Sequence, residues 1–96
     1  MPYHVVITGP VSEALGGLGL DRRVLLKVFN RLYEQLGSHA DPYRGRRDPE
    51  DPDLFFYDMR LWDGARWHSL YFSVDDRQAT DYLFVVAVAY EADPSF

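Results

Sequence analysis

Three aromatic and β-branched runs follow one another through the C-terminal half of the chain. They limit its fold more than any other stretch does. Leu54 to Trp62, Arg66 to Val74 and Tyr82 to Tyr90 each read as a strand. Asp63-Gly64-Ala65 between the first two is a strong hairpin signal, and Asp75 to Asp81 is a polar connection to the third. Strands joined this closely pair antiparallel, so a three-strand meander is expected. Alternation puts Phe55, Tyr57, Met59 and Leu61 on one face and Leu54, Phe56, Asp58, Arg60 and Trp62 on the other. In the second run Arg66, His68, Leu70, Phe72 and Val74 alternate with Trp67, Ser69, Tyr71 and Ser73. The third run is apolar at nearly every position, which predicts an interior strand covered on both sides.

Upstream segments supply a lid for one face of this sheet. Tyr3 to Thr8 is a short β-branched strand ended by Gly9-Pro10. Between Val11 and Leu20, Ser12 is placed to cap one or two helical turns that Gly16-Gly17 would stop. Glycine costs about 1 kcal/mol relative to alanine inside a helix, so a long helix is not expected there. Asp21 to Leu36 is the clearest helix, with Asp21 at the N-cap and Gly37 just past its end. Leu25, Val28, Phe29, Leu32 and Leu36 form its apolar stripe, widened by Val24 and Tyr33. Arg22, Arg23, Lys27 and Arg31 form a basic edge, read either as a solvated face or as a partner-binding stripe. Ser38 to Asp53 shows no apolar periodicity and reads as a long connector, a kind of segment that is often functional. Its Arg44-Gly45-Arg46-Arg47 window is the most basic in the chain, read as a self-neutralising loop or as a phosphate clamp. The expected architecture is a single α+β domain over 1–96. It has an N-terminal strand, a helical pair and a three-strand antiparallel meander, with the helices on one sheet face and the first strand at an edge.

Bulk properties narrow the function. The chain of 96 residues carries a net charge of −5, which disfavours long-range attraction to nucleic acid or anionic membrane. Cysteine is absent, so neither disulfides nor thiolate metal sites can form. No apolar run nears the roughly 20 residues that cross a bilayer, and Met1-Pro2-Tyr3-His4 does not begin a signal peptide. A soluble, cytoplasmic protein without membrane contact is expected. His4, His39 and His68 lack metal-ligand spacing with carboxylates, and Gly16-Gly17-Leu18-Gly19 matches no phosphate-cradling loop. Neither a metal nor a cofactor is therefore expected.

The hairpin Arg60-Leu61-Trp62-Asp63-Gly64-Ala65-Arg66-Trp67, running into His68-Ser69-Leu70-Tyr71-Phe72 and a hydrophobic strand ending at Tyr90, resembles the RelE/ParE superfamily of bacterial toxins. The strand-helix-helix-strand-strand-strand order extends that resemblance, including to the HigB-like branch, over nearly the whole chain. It implies the toxin component of a toxin–antitoxin pair. RelE-like and HigB-like members cut messenger RNA in the ribosomal decoding site without a metal or cofactor. Acid–base groups there promote attack of a 2′-hydroxyl on its own phosphate, and cations stabilise the developing charge. ParE-like members instead inhibit DNA gyrase, and both kinds are neutralised by an antitoxin protein.

Carried over by residue, Arg60 matches the family's basic position on the first strand of the block, and Tyr71 the aromatic of the next strand. His68 stands where arginine is usual, and Tyr90 lies near the C-terminal acid–base position. The catalytic candidates are thus Arg60, His68 and Tyr90, with Arg46, Arg47, Arg66 and Tyr71 as substrate-binding candidates. Histidine for arginine gives up fixed charge and bidentate phosphate grip while gaining acid–base capacity. Glu91 and Asp93 occupy the region that is lysine-rich in active relatives, consistent with a degenerate catalyst. Convergence of Arg60, Arg66 and His68 across the hairpin competes with ordinary pairing of these groups to Asp58 or Asp63. The alternative function is a non-enzymatic module of the same fold. Its aromatic sheet face, carrying Phe56, Trp62, Trp67 and Tyr71, would take a protein partner or a second copy.

Overall fold

The computed structural model describes residues 3–76 and 81–92. Most of the 75–81 connection and the end of the acidic tail lie outside the described residues. In chain order the elements are β1 (His4–Ile7), α1 (Gly9–Gly16), α2 (Arg22–His39), α3 (Asp41–Arg44), β2 (Leu54–Trp62), β3 (Trp67–Asp75) and β4 (Tyr82–Ala92). The four strands form one mixed sheet in the order β1-β4-β3-β2. β2, β3 and β4 are an antiparallel meander, and β1 pairs parallel to β4 at the edge. The fold is α+β, with three helices. Among the described residues no helix is long and apolar enough to cross a membrane.

One face of the sheet is buried. Val24, Val28, Leu32 and Leu36 from α2 and Val11 and Leu15 from α1 share a core with Phe55, Tyr57, Leu70, Phe72, Val74, Leu83 and Val85. Val28, Leu32 and Leu36 have no exposed surface. Each such side chain contributes about 1.5–3 kcal/mol on burial, so this stripe fixes the helix to the sheet. Asp21 caps α2 as its sequence position implies, its Oδ1 accepting the Arg23 N–H at 2.8 Å.

Several elements depart from the sequence reading. β3 starts at Trp67, leaving Arg66 in the turn. α1 begins at Gly9-Pro10 rather than behind Ser12, because proline suits the first helical turn, where its missing N–H goes unneeded. The long connector contains α3, a single helical turn, and a bridge between Arg47 and Phe55. β4 is interior between β1 and β3 but is not covered on both sides, since Ala87 and Ala89 are exposed. A register shift pairs Ser73 with Ala87 but Val74 with Val85. Val86 is the extra residue, and this bulge turns Leu83, Val85, Val88 and Tyr90 all toward the helices. A bulge on one face therefore imitates the apolar run of a strand buried on two.

α2 also continues past Gly37 to His39. The start of the chain explains this, because the Tyr3 N–H donates to the Gly37 carbonyl at 2.7 Å. That carbonyl is among the last four of the helix, which have no intrahelical donor. A Cβ on Gly37 would meet the Tyr3 carbonyl oxygen at 3.6 Å, an ordinary contact. Gly37→Ala is therefore expected to stabilise the protein by roughly 0.5–1 kcal/mol through helix propensity. Urea unfolding checks this; a lowered midpoint would mean that Tyr3 cannot tolerate the methyl group.

Candidate functional site

The β2–β3 turn builds a hydrogen-bonded chain at one end of the buried sheet face. Gly64 adopts φ 98°, a conformation open to glycine. Asp63 closes the turn, its Oδ1 accepting the backbone N–H groups of Ala65 at 2.7 Å and Arg66 at 2.8 Å. Its other oxygen, Oδ2, lies 2.6 Å from His68 Nε2. His68 occupies the helix-facing side of β3 and is 5% exposed. Its Nδ1 lies 2.6 Å from the hydroxyl of Tyr90, a half-buried residue of β4 whose ring stacks on the imidazole. Hydrogen bonds from His68 and from the Arg66 and Ala65 amides hold the Asp63 carboxyl far below the usual carboxylate range. An ionised carboxylate only accepts, so in neutral His68 Nε2 carries the hydrogen and Nδ1 accepts from the Tyr90 hydroxyl.

A groove of about 590 Å³ runs between the outer side of α2 and the hairpin, and none of Asp63, His68 and Tyr90 lines it. Lys27 and Arg31 line its helix wall with Glu34, and Arg60, Trp62 and Trp67 line its sheet wall. Leu61, which also lines it, is the cross-strand partner of His68. The Arg60 guanidinium stacks over Trp67 at 4.7 Å from the ring centroid, and the two indole centroids are 5.4 Å apart. Arg31 Nη1 donates to the Arg60 carbonyl at 3.1 Å, tying helix wall to sheet wall.

His68 and Tyr90 are thus brought together, while Arg60 is on the opposite sheet face, paired across the strands with Ser69. Arg60, Arg66 and His68 do not converge, because alternation along β2 and β3 separates them and Arg66 sits in the exposed turn. Of the pairings expected for these groups, the one between His68 and Asp63 forms, whereas Asp58 pairs with Arg46 at 2.6 Å. Arg47 is held by the buried Asp76 through two bonds of 2.6 and 2.8 Å, and Arg44 adds a third of 2.9 Å. Arg44 also donates to the Tyr3 hydroxyl, so the basic window anchors the connector to β1 and the end of β3. Tyr71 lies on the open sheet face, beside Phe56, Ser73, Ala87 and Ala89 around a depression of about 210 Å³.

Asp63 was legible as a turn residue and as an ordinary pairing partner for the hairpin's basic groups, but not as a site residue. Its five-residue separation from His68 gains meaning only once the hairpin folds. Lys27 and Arg31 were visible as a basic helix edge, but not as one wall of a groove. Among the described residues no group of three or more His, Asp or Glu side chains is arranged to hold a metal ion. Comparison with family models, curated proteins and solved structures finds no match to this chain.

The Asp76 cluster generates a stability prediction. Hydrogen bonds from Arg47 and Arg44 hold the Asp76 carboxyl below its ordinary value of 3.8, against the opposing effect of burial. A lowered folded-state value gives stability that is present above that ordinary value and lost as pH falls below it. Asp76→Asn should cost about 1–3 kcal/mol at neutral pH, since it leaves two arginines without their carboxylate. Urea unfolding should show the gap between wild type and variant closing as pH drops through the acid range. A gap of constant size would reject the ionic clamp.

Proposed function

We propose that this chain is a RelE/ParE-like domain of the RNA-directed toxin type. It would be the toxin half of a bacterial toxin–antitoxin pair, acting on messenger RNA at the ribosome in the cytoplasm without a metal or cofactor. The observation that carries this reading is the groove. Lys27, Arg31 and Arg60 gather there with Trp62 and Trp67, although the chain as a whole is acidic. Cations for phosphates and indole faces for bases are the combination that holds single-stranded nucleic acid. The order of a strand, two main helices and a one-turn third helix, then three strands, and the placing of both main helices on one sheet face support the family reading. Acid–base groups for attack by a 2′-hydroxyl are present in the Asp63–His68–Tyr90 chain of the same hairpin end, on the helix-facing side of the sheet.

A protein-binding module is the second reading. Phe56, Tyr71 and Tyr82 stay exposed on the face opposite the helices, where an antitoxin or a second copy would find apolar surface.

Binding of a fluorescent single-stranded RNA dodecamer to the purified protein tests the first reading. Three phosphate contacts predict a salt slope of about −2 in the log–log plot. Lys27→Glu combined with Arg31→Glu should weaken binding at least tenfold. RNA added to the wild type should quench the fluorescence of Trp62 and Trp67. Unchanged affinity in the double variant, or no quenching, would refute the groove as an RNA site and leave the protein-binding reading.

A further inference from the structure

We propose that Glu34 makes the groove selective for guanine, its carboxylate accepting the N1–H and an N2–H of a base stacked on Trp62. Among the described residues that line the groove, Glu34 is the one acidic side chain, set amid Lys27, Arg31 and Arg60. A carboxylate among phosphate-binding cations repels the strand that they attract, so it works against binding in general. The usual role of a surface glutamate on a helix is an ion pair three or four residues away. Glu34 makes none among the described residues. Asn30, Gly37 and Ser38 hold three of those four positions, and the fourth, Arg31, turns its Nη1 to the Arg60 carbonyl at 3.1 Å. The Glu34 carboxylate is left exposed at the groove with its oxygens open to a ligand donor.

The sheet wall supplies the stacking surface. The two indoles are inclined at 55° with centroids 5.4 Å apart, so no parallel slot lies between them to sandwich a base. The Arg60 guanidinium covers Trp67 at 4.7 Å from its centroid. Trp62, about half exposed, is the open surface, and stacking alone accepts any base. Choice among bases must come from the base edge, where a carboxylate is acceptor-only and has two oxygens side by side. Of the four RNA bases, guanine alone has two adjacent donors, N1–H and N2–H, on its Watson–Crick edge. Cytosine and adenine each place an amino group beside a ring acceptor, and uracil places one N–H between two carbonyls that a carboxylate repels. Hydrogen bonds to an ionised acceptor are roughly twice as strong as neutral ones, so the paired contact offsets the repulsion for guanine. Naming RNA as the strand rests on the reading above; Glu34 adds which base the groove prefers.

Fluorescent RNA dodecamers test this with the purified protein: oligo-U, and oligo-U carrying one central G, C or A. The G strand should bind about tenfold tighter than oligo-U, and inosine in place of that G, which lacks the N2 amino group, should lose about threefold. In Glu34→Ala both differences should vanish, while oligo-U binds more tightly than to wild type because a negative charge has left the groove. Glu34→Gln should also remove the guanine preference, since its amide group sets a donor against one of guanine's. Urea unfolding of both variants should match wild type, as Glu34 is exposed. A wild-type preference for another base, or for none, overturns the guanine reading while sparing the groove as an RNA site. So does an inosine loss that persists in Glu34→Ala, or a Glu34→Ala gain of equal size for every strand. No binding of any strand, or binding unaffected by Lys27→Glu with Arg31→Glu, overturns the RNA reading and this proposal with it.

Discussion

Burial of the α2 stripe against the inner sheet face is the interaction on which the remaining structure depends. Val24, Val28, Leu32 and Leu36 recur at the spacing of one helical face and meet side chains that alternate along β2, β3 and β4. Two periods, one helical and one extended, must agree for the layers to close. Once they do, the outer side of α2 is placed beside β2, and Lys27 and Arg31 come opposite Arg60 and the two indoles. The groove is thus a by-product of core packing, and its charge is set by residues the core does not use.

The hairpin works on a shorter scale. Asp63 serves two purposes with its two oxygens, closing the turn with one and holding His68 with the other. Local backbone geometry and the polarity of a nearly buried imidazole are therefore linked through one side chain. Burial of His68 is tolerated because both of its nitrogens are satisfied, and no buried side-chain polar atom among the described residues lacks a partner.

Much of this could be read from the chain. The strands were visible through alternation, β2 to the residue, and α2 through its stripe and its Asp21 cap. The hairpin announced itself through Asp63-Gly64. What could not be read depends on contacts distant in sequence. Gly37 carries the usual sign of a helix end, yet Tyr3 supplies a donor that lets the helix run on. Val86 belongs to an apolar run whose meaning changes with a one-residue register shift. The arginines of the connector look available for phosphate, but Asp76 and Asp58, a dozen to thirty-two residues away, take three of them. Periodicity reports which face a residue takes and is silent about which charge it will meet.

The outer edge of β2 has a consequence for solubility. An exposed strand edge is a template for pairing with other chains, and long flat apolar edges lead to aggregation. Here the backbone of residues 46–48 bonds to the first half of that edge, with the Phe56 N–H donating to Arg46 and the Asp48 N–H donating to Leu54. Further along, the Arg31 guanidinium occupies the Arg60 carbonyl, and the Arg46–Asp58 ion pair stands at the rim. The opposite edge, β1, is four residues long. Such guarding limits sheet-to-sheet growth, so an aromatic-rich chain of this size can hold an open sheet face in water without its strands serving as seeds for fibrils.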